Sequence, residues 1–123
     1  MTDLRSPDCR LYVDADMSET ELLSLVMQMV FAPDVPTRAE VVLFKNEDYD
    51  TRRRTQFPQG FLYFRYYADL YMPDAARKAQ AALVGALLKE FWDMGIPSVA
   101  ASPFEDLLPE RGGYKSHAIP WAY

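Results

Sequence analysis

Gly60-Phe61-Leu62-Tyr63-Phe64-Arg65-Tyr66-Tyr67-Ala68-Asp69-Leu70-Tyr71 is the stretch on which the reading of the fold turns. Nothing between Gly60 and Pro73 breaks a strand, and the aromatic residues it is rich in favour a pleated surface. Taken with period two, Leu62, Phe64, Tyr66, Ala68 and Leu70 form one set, and Tyr63, Arg65, Tyr67, Asp69 and Tyr71 the other. The first set suits a core and the second a surface, so the pattern predicts one long strand buried on a single face. The outer set is not ordinary solvent-facing material. Tyr and Arg dominate binding hot spots because each joins a large contact area to a polar end. Either a partner covers this face or the chain's own C-terminal tail does.

Working outward, Arg10-Leu11-Tyr12-Val13-Asp14 alternates as a short strand with Leu11 and Val13 inward and Tyr12 outward. Ser18-Glu19-Thr20-Glu21 has the form of a capping box, and Leu22, Leu25, Val26, Met29 and Val30 follow at helical spacing, with Pro33 as the limit of that helix. Ala39 to Lys45 reads as a second strand. Asn46 to Gln59, polar and carrying Arg52-Arg53-Arg54, reads as a long mobile loop. Asp74 is the expected N-cap of a second helix whose inner face holds Ala76, Gln80, Leu83, Val84, Leu87, Leu88 and Phe91, and which ends at Gly95. Ser98 to Ser102 is a short fourth strand, and from about residue 104 the tail shows no periodicity.

The order β-α-β-β-α-β predicts a single α+β domain over residues 1–123, of the ferredoxin-like type, in which an antiparallel sheet carries both helices on one face. Leu62, Phe64, Leu83, Leu87 and Phe91 are expected to share one core beneath those helices. The free face would carry Arg10, Tyr12 and Asp14 beside Tyr63, Arg65, Tyr67 and Asp69.

Composition narrows the class of function. The chain has 123 residues, half of them hydrophobic and a quarter charged, enough for one globular core. No apolar run approaches the roughly 20 residues of a membrane span. The start, Met1 to Asp8, lacks the basic and apolar regions of a signal peptide, and Cys9 is alone, so a reducing, cytoplasmic setting is expected. A net charge of −5 disfavours nucleic acid and anionic membranes and favours a basic partner.

Chemistry-bearing residues are sparse. His117 is the sole histidine, without triad or metal partners at workable spacing. Cys9 reads as a small residue at a strand start, Asp14-Ala15-Asp16 as turn and cap residues, and Glu105-Asp106 as an acidic turn or partner contact. Gly112-Gly113 lacks the strand and helix of a phosphate-binding loop. No enzyme activity, metal or cofactor is expected.

Two resemblances follow from these residues. Leu11-Tyr12-Val13, with Gln59 to Tyr66, is similar to the paired strand motifs of the RNA-recognition motif, although Gln59 stands at its basic position and Leu62 at its small one. The acidic balance argues against RNA, since each phosphate contact needs Lys or Arg. Leu11 to Asp16, Gly60 to Phe64, and Phe104 to Pro109 with Gly112-Gly113-Tyr114 resemble small acidic bacterial immunity proteins, which neutralise a cognate toxin of polymorphic or contact-dependent systems. That resemblance implies a cytoplasmic protein with no catalysis of its own. On this reading Asp14, Asp16, Asp69, Glu105 and Asp106 steer a basic toxin domain, and Tyr12, Tyr63, Arg65 and Tyr67 anchor it. A ferredoxin-like small-molecule-binding or dimeric regulatory domain is the alternative, with the open face used for self-association.

Overall fold

The computed structural model describes residues 6–32 and 37–121. The residues 1–5 of the lead, the Pro33–Pro36 part of the first helix's exit, and Tyr123 of the tail lie outside the described residues. The elements run β1 (Cys9–Val13), α1 (Glu19–Val30), β2 (Glu40–Lys45), β3 (Tyr66–Tyr71), α2 (Arg77–Asp93) and β4 (Ser98–Ala101). All neighbouring strands are antiparallel, in the order β2-β3-β1-β4. Each helix therefore bridges two strands that are not neighbours: β3 lies between β1 and β2, and β1 lies between β3 and β4.

Register fixes the two faces. Leu11 sits opposite Ala68 on one side and Ala100 on the other, and Leu43 opposite Ala68. These residues point at the helices, where Leu22, Val26 and Val30 of α1 and Leu83, Val84, Leu87, Leu88 and Phe91 of α2 close one core with Leu11, Val13, Ala68 and Leu70. Each such fully buried side chain is worth roughly 1.5–3 kcal/mol over its exposed state. α1 begins as its sequence dictates: the Ser18 hydroxyl accepts from Glu21 N–H at 3.1 Å and donates to the Glu21 carboxylate. α2 ends with Ile96 N–H donating to Phe91 O at 2.9 Å, a bond that wraps the last turn. No helix among the described residues is long and apolar enough to cross a membrane.

Four expectations are corrected. The long strand from Gly60 does not form: Gln59–Tyr63 is a 3-10 segment and β3 starts only at Tyr66. Its neighbours are the reason. The β1 and β2 ladders end at Val13 and Lys45, both opposite Tyr66, and beyond them β2 adds a single bond, from Asn46 N–H to Arg65 O at 2.9 Å, too little to carry an earlier strand. Side chains take over that backbone instead. Asn46 Nδ2 donates to Leu62 O and Phe64 O, at 2.9 and 2.8 Å, and Asp14 accepts from Arg65 N–H at 3.2 Å.

The second correction follows from the first. Leu62 is 42 % exposed, and Phe64, fully buried, packs with Val99, Ile119 and Trp121 instead of beneath the helices. Third, residues 46–59 are ordered by a short 3-10 turn at Arg53–Thr55, capped by Asp50, whose carboxylate accepts from Arg52 and Arg53 N–H at 2.8 Å each. Gly60 passes so close to this turn that a Cβ there would lie 2.7 Å from Arg53 O. Fourth, Asp74 is not the cap of α2. Ala75 N–H turns back to Met72 O, and Ala76 occupies the cap position without a side-chain bond.

Candidate functional site

The sheet face turned away from the helices carries Arg10 and Tyr12 on β1, Tyr67, Asp69 and Tyr71 on β3, Val42 and Phe44 on β2, and Val99 on β4. It divides into two halves. Over β4 and the adjoining part of β1, the tail folds back. Ile119 and Trp121 pack on Val99 and Phe64, and Trp121 Nε1–H donates to Thr55 O at 3.2 Å. Tyr12 meets Phe61 edge-on at 5.1 Å, and Phe61 meets Tyr114 at 5.8 Å.

Over Val42 and Phe44 of β2, none of the described residues folds back. Arg10 grips Asp69 through two bonds, Nε–H to Oδ1 at 2.7 Å and Nη2–H to Oδ2 at 3.0 Å. Its guanidinium lies 4.4 Å above the Tyr67 ring, and Tyr67 stacks on Phe44 at 5.0 Å. Hydrogen bonding to Asp69 raises the Arg10 pKa further above its already high ordinary value, so the Arg10 guanidinium stays charged. Val42 and Phe44 remain 37 and 38 % exposed. With Tyr12, Asn46, Glu47, Arg53 and Tyr63, Phe44 borders a hollow of about 590 Å³.

The sequence-derived site residues fall into three groups. Tyr12, Tyr67 and Asp69 share the sheet face, and Tyr63 joins them at the rim of the hollow, its ring 5.3 Å from the Arg53 guanidinium. Asp69 is buried and held by Arg10, so its charge is answered within the chain. Asp14, Asp16 and Arg65 gather at the end of the sheet: Arg65 pairs with exposed Asp16 at 3.3 Å and lies over Tyr49, while half-buried Asp14 pairs with Arg54. Glu105 and Asp106 stand apart in a 3-10 turn of the tail, where Asp106 pairs with Arg111 at 2.8 Å on the surface.

Other chemistry-bearing groups are placed as follows. Cys9 is buried, and its thiol is pushed up to about 12, by burial first and then by the charges of Asp69 and Asp8. That holds the sulfur as a neutral thiol. His117 stacks on Phe57 at 4.3 Å. Among the described residues, no group of three or more His, Cys, Asp or Glu is arranged to hold a metal ion.

Sequence reasoning passed over Val42 and Phe44, which are the apolar part of the open half. Val41-Val42-Leu43-Phe44 is apolar on both parities, so period two gives no outer set for β2. The signal was there in another form: a run apolar on both faces, in a chain whose helices can cover only one. Compared with protein-family models, curated proteins and solved structures, the chain matches none.

Proposed function

We propose that this protein acts by binding another protein on the open half of its sheet face, and that it is an immunity-type inhibitor of a basic toxin domain. The observation that carries the reading is the pairing of exposed Val42 and Phe44 with the stacked Tyr67 and the clamped Arg10 beside an uncovered hollow. Aromatic area with a pre-ordered guanidinium is what hot spots are made of, and it loses little side-chain freedom on binding. The net charge of −5, with Asp16, Glu47, Asp48, Glu105 and Asp106 at or near the surface, supplies long-range attraction for a basic partner. Steric occlusion by the docked sheet face then does the inhibiting, with no bond made or broken.

We assign the fold to the ferredoxin-like type. Support comes from the two interleaved crossovers, β1-α1-β2 and β3-α2-β4, and from the helix-side core that both helices share. The test is capture of the product of the neighbouring gene by the intact protein, followed by calorimetric titration. Micromolar or tighter binding, with the toxin's activity lost in proportion, is the expected result. A neighbouring product that neither binds nor loses activity overturns the immunity reading.

A further inference from the structure

The two edges of the sheet are finished differently. At the β4 edge the chain returns through Pro109–Gly113, in a turn where Glu110 and Arg111 take φ of 51° and 53°. Non-glycine residues in that region are strained. The strained turn brings Gly112 onto the edge itself, where a Cβ would lie 2.6 Å from Ala100 O. The β4 edge is thereby covered.

Among the described residues, the β2 edge has no such cover. In an antiparallel ladder, alternate residues bond to alternate sides. Asn46 N–H donates to Arg65 O at 2.9 Å, continuing the β2–β3 register by one step. Asn46, Phe44, Val42 and Glu40 therefore bond towards β3, and the N–H and C=O groups of Val41, Leu43 and Lys45 turn outward. The β1–β4 ladder agrees: Asp14 N–H donates to Pro97 O, so Tyr12 and Arg10 bond to β4, and Tyr66, Ala68 and Leu70 bond to β1. That leaves Tyr67, Asp69 and Tyr71 for β2. Among the described residues, no backbone bond beyond the ladder reaches Val41, Leu43 or Lys45. This edge, Glu-Val-Val-Leu-Phe-Lys, also lacks a proline, and its charges stand only at its two ends, Glu40 and Lys45.

We propose that the β2 edge pairs with the β2 edge of a second copy of this chain, antiparallel about Leu43, joining two sheets into one. The strand is complementary to itself in that arrangement. Val41, Leu43 and Lys45 of each copy would make about six N–H···O=C bonds across the seam. Val42 of each copy lies opposite Phe44 of the other on the open face, in the closer, non-hydrogen-bonded type of pair. No two like charges oppose each other: Lys45 faces Val41, and Glu40 faces Asn46. Antiparallel pairing also brings the Glu40 end of one strand to the Lys45 end of the other. The seam is short, so it makes a weak, concentration-dependent dimer. It does not rest on the toxin-binding reading, although it would run the two open half-faces together through Phe44.

Sedimentation velocity across low-micromolar to millimolar concentrations, with residue-resolved amide exchange at both extremes, tests this. The expected result is a monomer–dimer equilibrium, with the Val41, Leu43 and Lys45 amides slowing as concentration rises. Val42→Lys with Phe44→Lys should raise the dimer dissociation constant at least about tenfold. Lys45→Pro, which removes an outward N–H and leaves Val42 and Phe44 intact, should weaken the dimer without changing partner binding. A monomer at every concentration overturns the pairing and leaves the proposed partner site untouched. So does a dimer that ignores both variants while those amides exchange at one rate throughout.

Discussion

Val99 and Phe44 lie on the same face of the same sheet, Val99 on β4 and Phe44 on β2, yet their surroundings differ completely. Val99 is sealed in a cluster with Phe64, Ile119 and Trp121, whereas Phe44 stays more than a third exposed. What separates them is the reach of the irregular segments. Among the described residues, the 3-10 segment Gln59–Tyr63 and the tail from Phe104 both come to rest over β4 and β1, and neither covers Phe44. The covered half thus belongs to folding, and the open half is the surface that the proposed partner would use. An apolar patch that a monomer leaves open is a marker of interaction surfaces.

The largest expected effects lie in the covered half. Phe64→Ala and Trp121→Ala should each destabilise the protein by about 3–5 kcal/mol, a large share of a small domain's stability. Thermal and urea unfolding measure this. If either variant unfolds like the parent, the tail is not sealing the face and the division into halves fails.

Much of this was legible in the sequence, and the gaps have physical causes. The element order, the inward Leu11 and Val13, the capping box at Ser18 and the inner face of α2 all follow from local periodicity, which is why they could be read. The stretch from Gly60 to Arg65 alternates as well as any strand, but a strand needs neighbours, and the pairing limits at Val13 and Lys45 are set by tertiary structure. Asn46 and Asp14 then hold that backbone from far along the chain, at separations no local pattern reveals. The site was half legible for a related reason. Tyr12 and Tyr67 follow from alternation, whereas the exposure of Phe44 depends on where distant segments come to rest, which no local pattern reveals.

Asn46 tests the boundary between the halves. Its side chain donates to Leu62 O, beside the open hollow, and to Phe64 O, in the covered cluster. Asn46→Ala leaves both carbonyls without those donors and should cost about 1–3 kcal/mol. Loss of stability with unchanged tail protection in amide exchange would show that the two halves are held separately.

On the open half the expectation reverses. Phe44→Ala and Tyr67→Ala should each weaken partner binding by about 1–3 kcal/mol, roughly ten- to a hundredfold. In Phe44→Ala stability should change by only about 0.5–1.5 kcal/mol, the worth of one stacked pair. Calorimetric titration beside thermal melting separates the two. Intact binding with a large stability loss would make the open half a second structural surface and erase the contrast.

The smallest effect concerns the segment that serves both halves. Asp50 organises the turn that leads to Phe61 and Phe64 on the covered side and to Leu62 and Tyr63 on the open one. The backbone N–H groups of Arg53, then of Arg52, hold its carboxyl below the ordinary carboxylate range. A folded-state pKa lowered in this way adds stability above the unfolded value, near pH 4, and that stability is lost as the pH falls through the folded value. At neutral pH the contribution is fully present. Acidification below about pH 4 should therefore speed exchange at the Arg52 and Arg53 amides first. Asp50→Asn keeps an acceptor but cannot titrate, so this acid-dependent loosening should be absent from it. If both proteins loosen alike, other carboxylates govern the acid response. Loosening that reaches Leu62 and Tyr63 while Trp121 stays buried would show that the open half yields first, as its lack of cover requires.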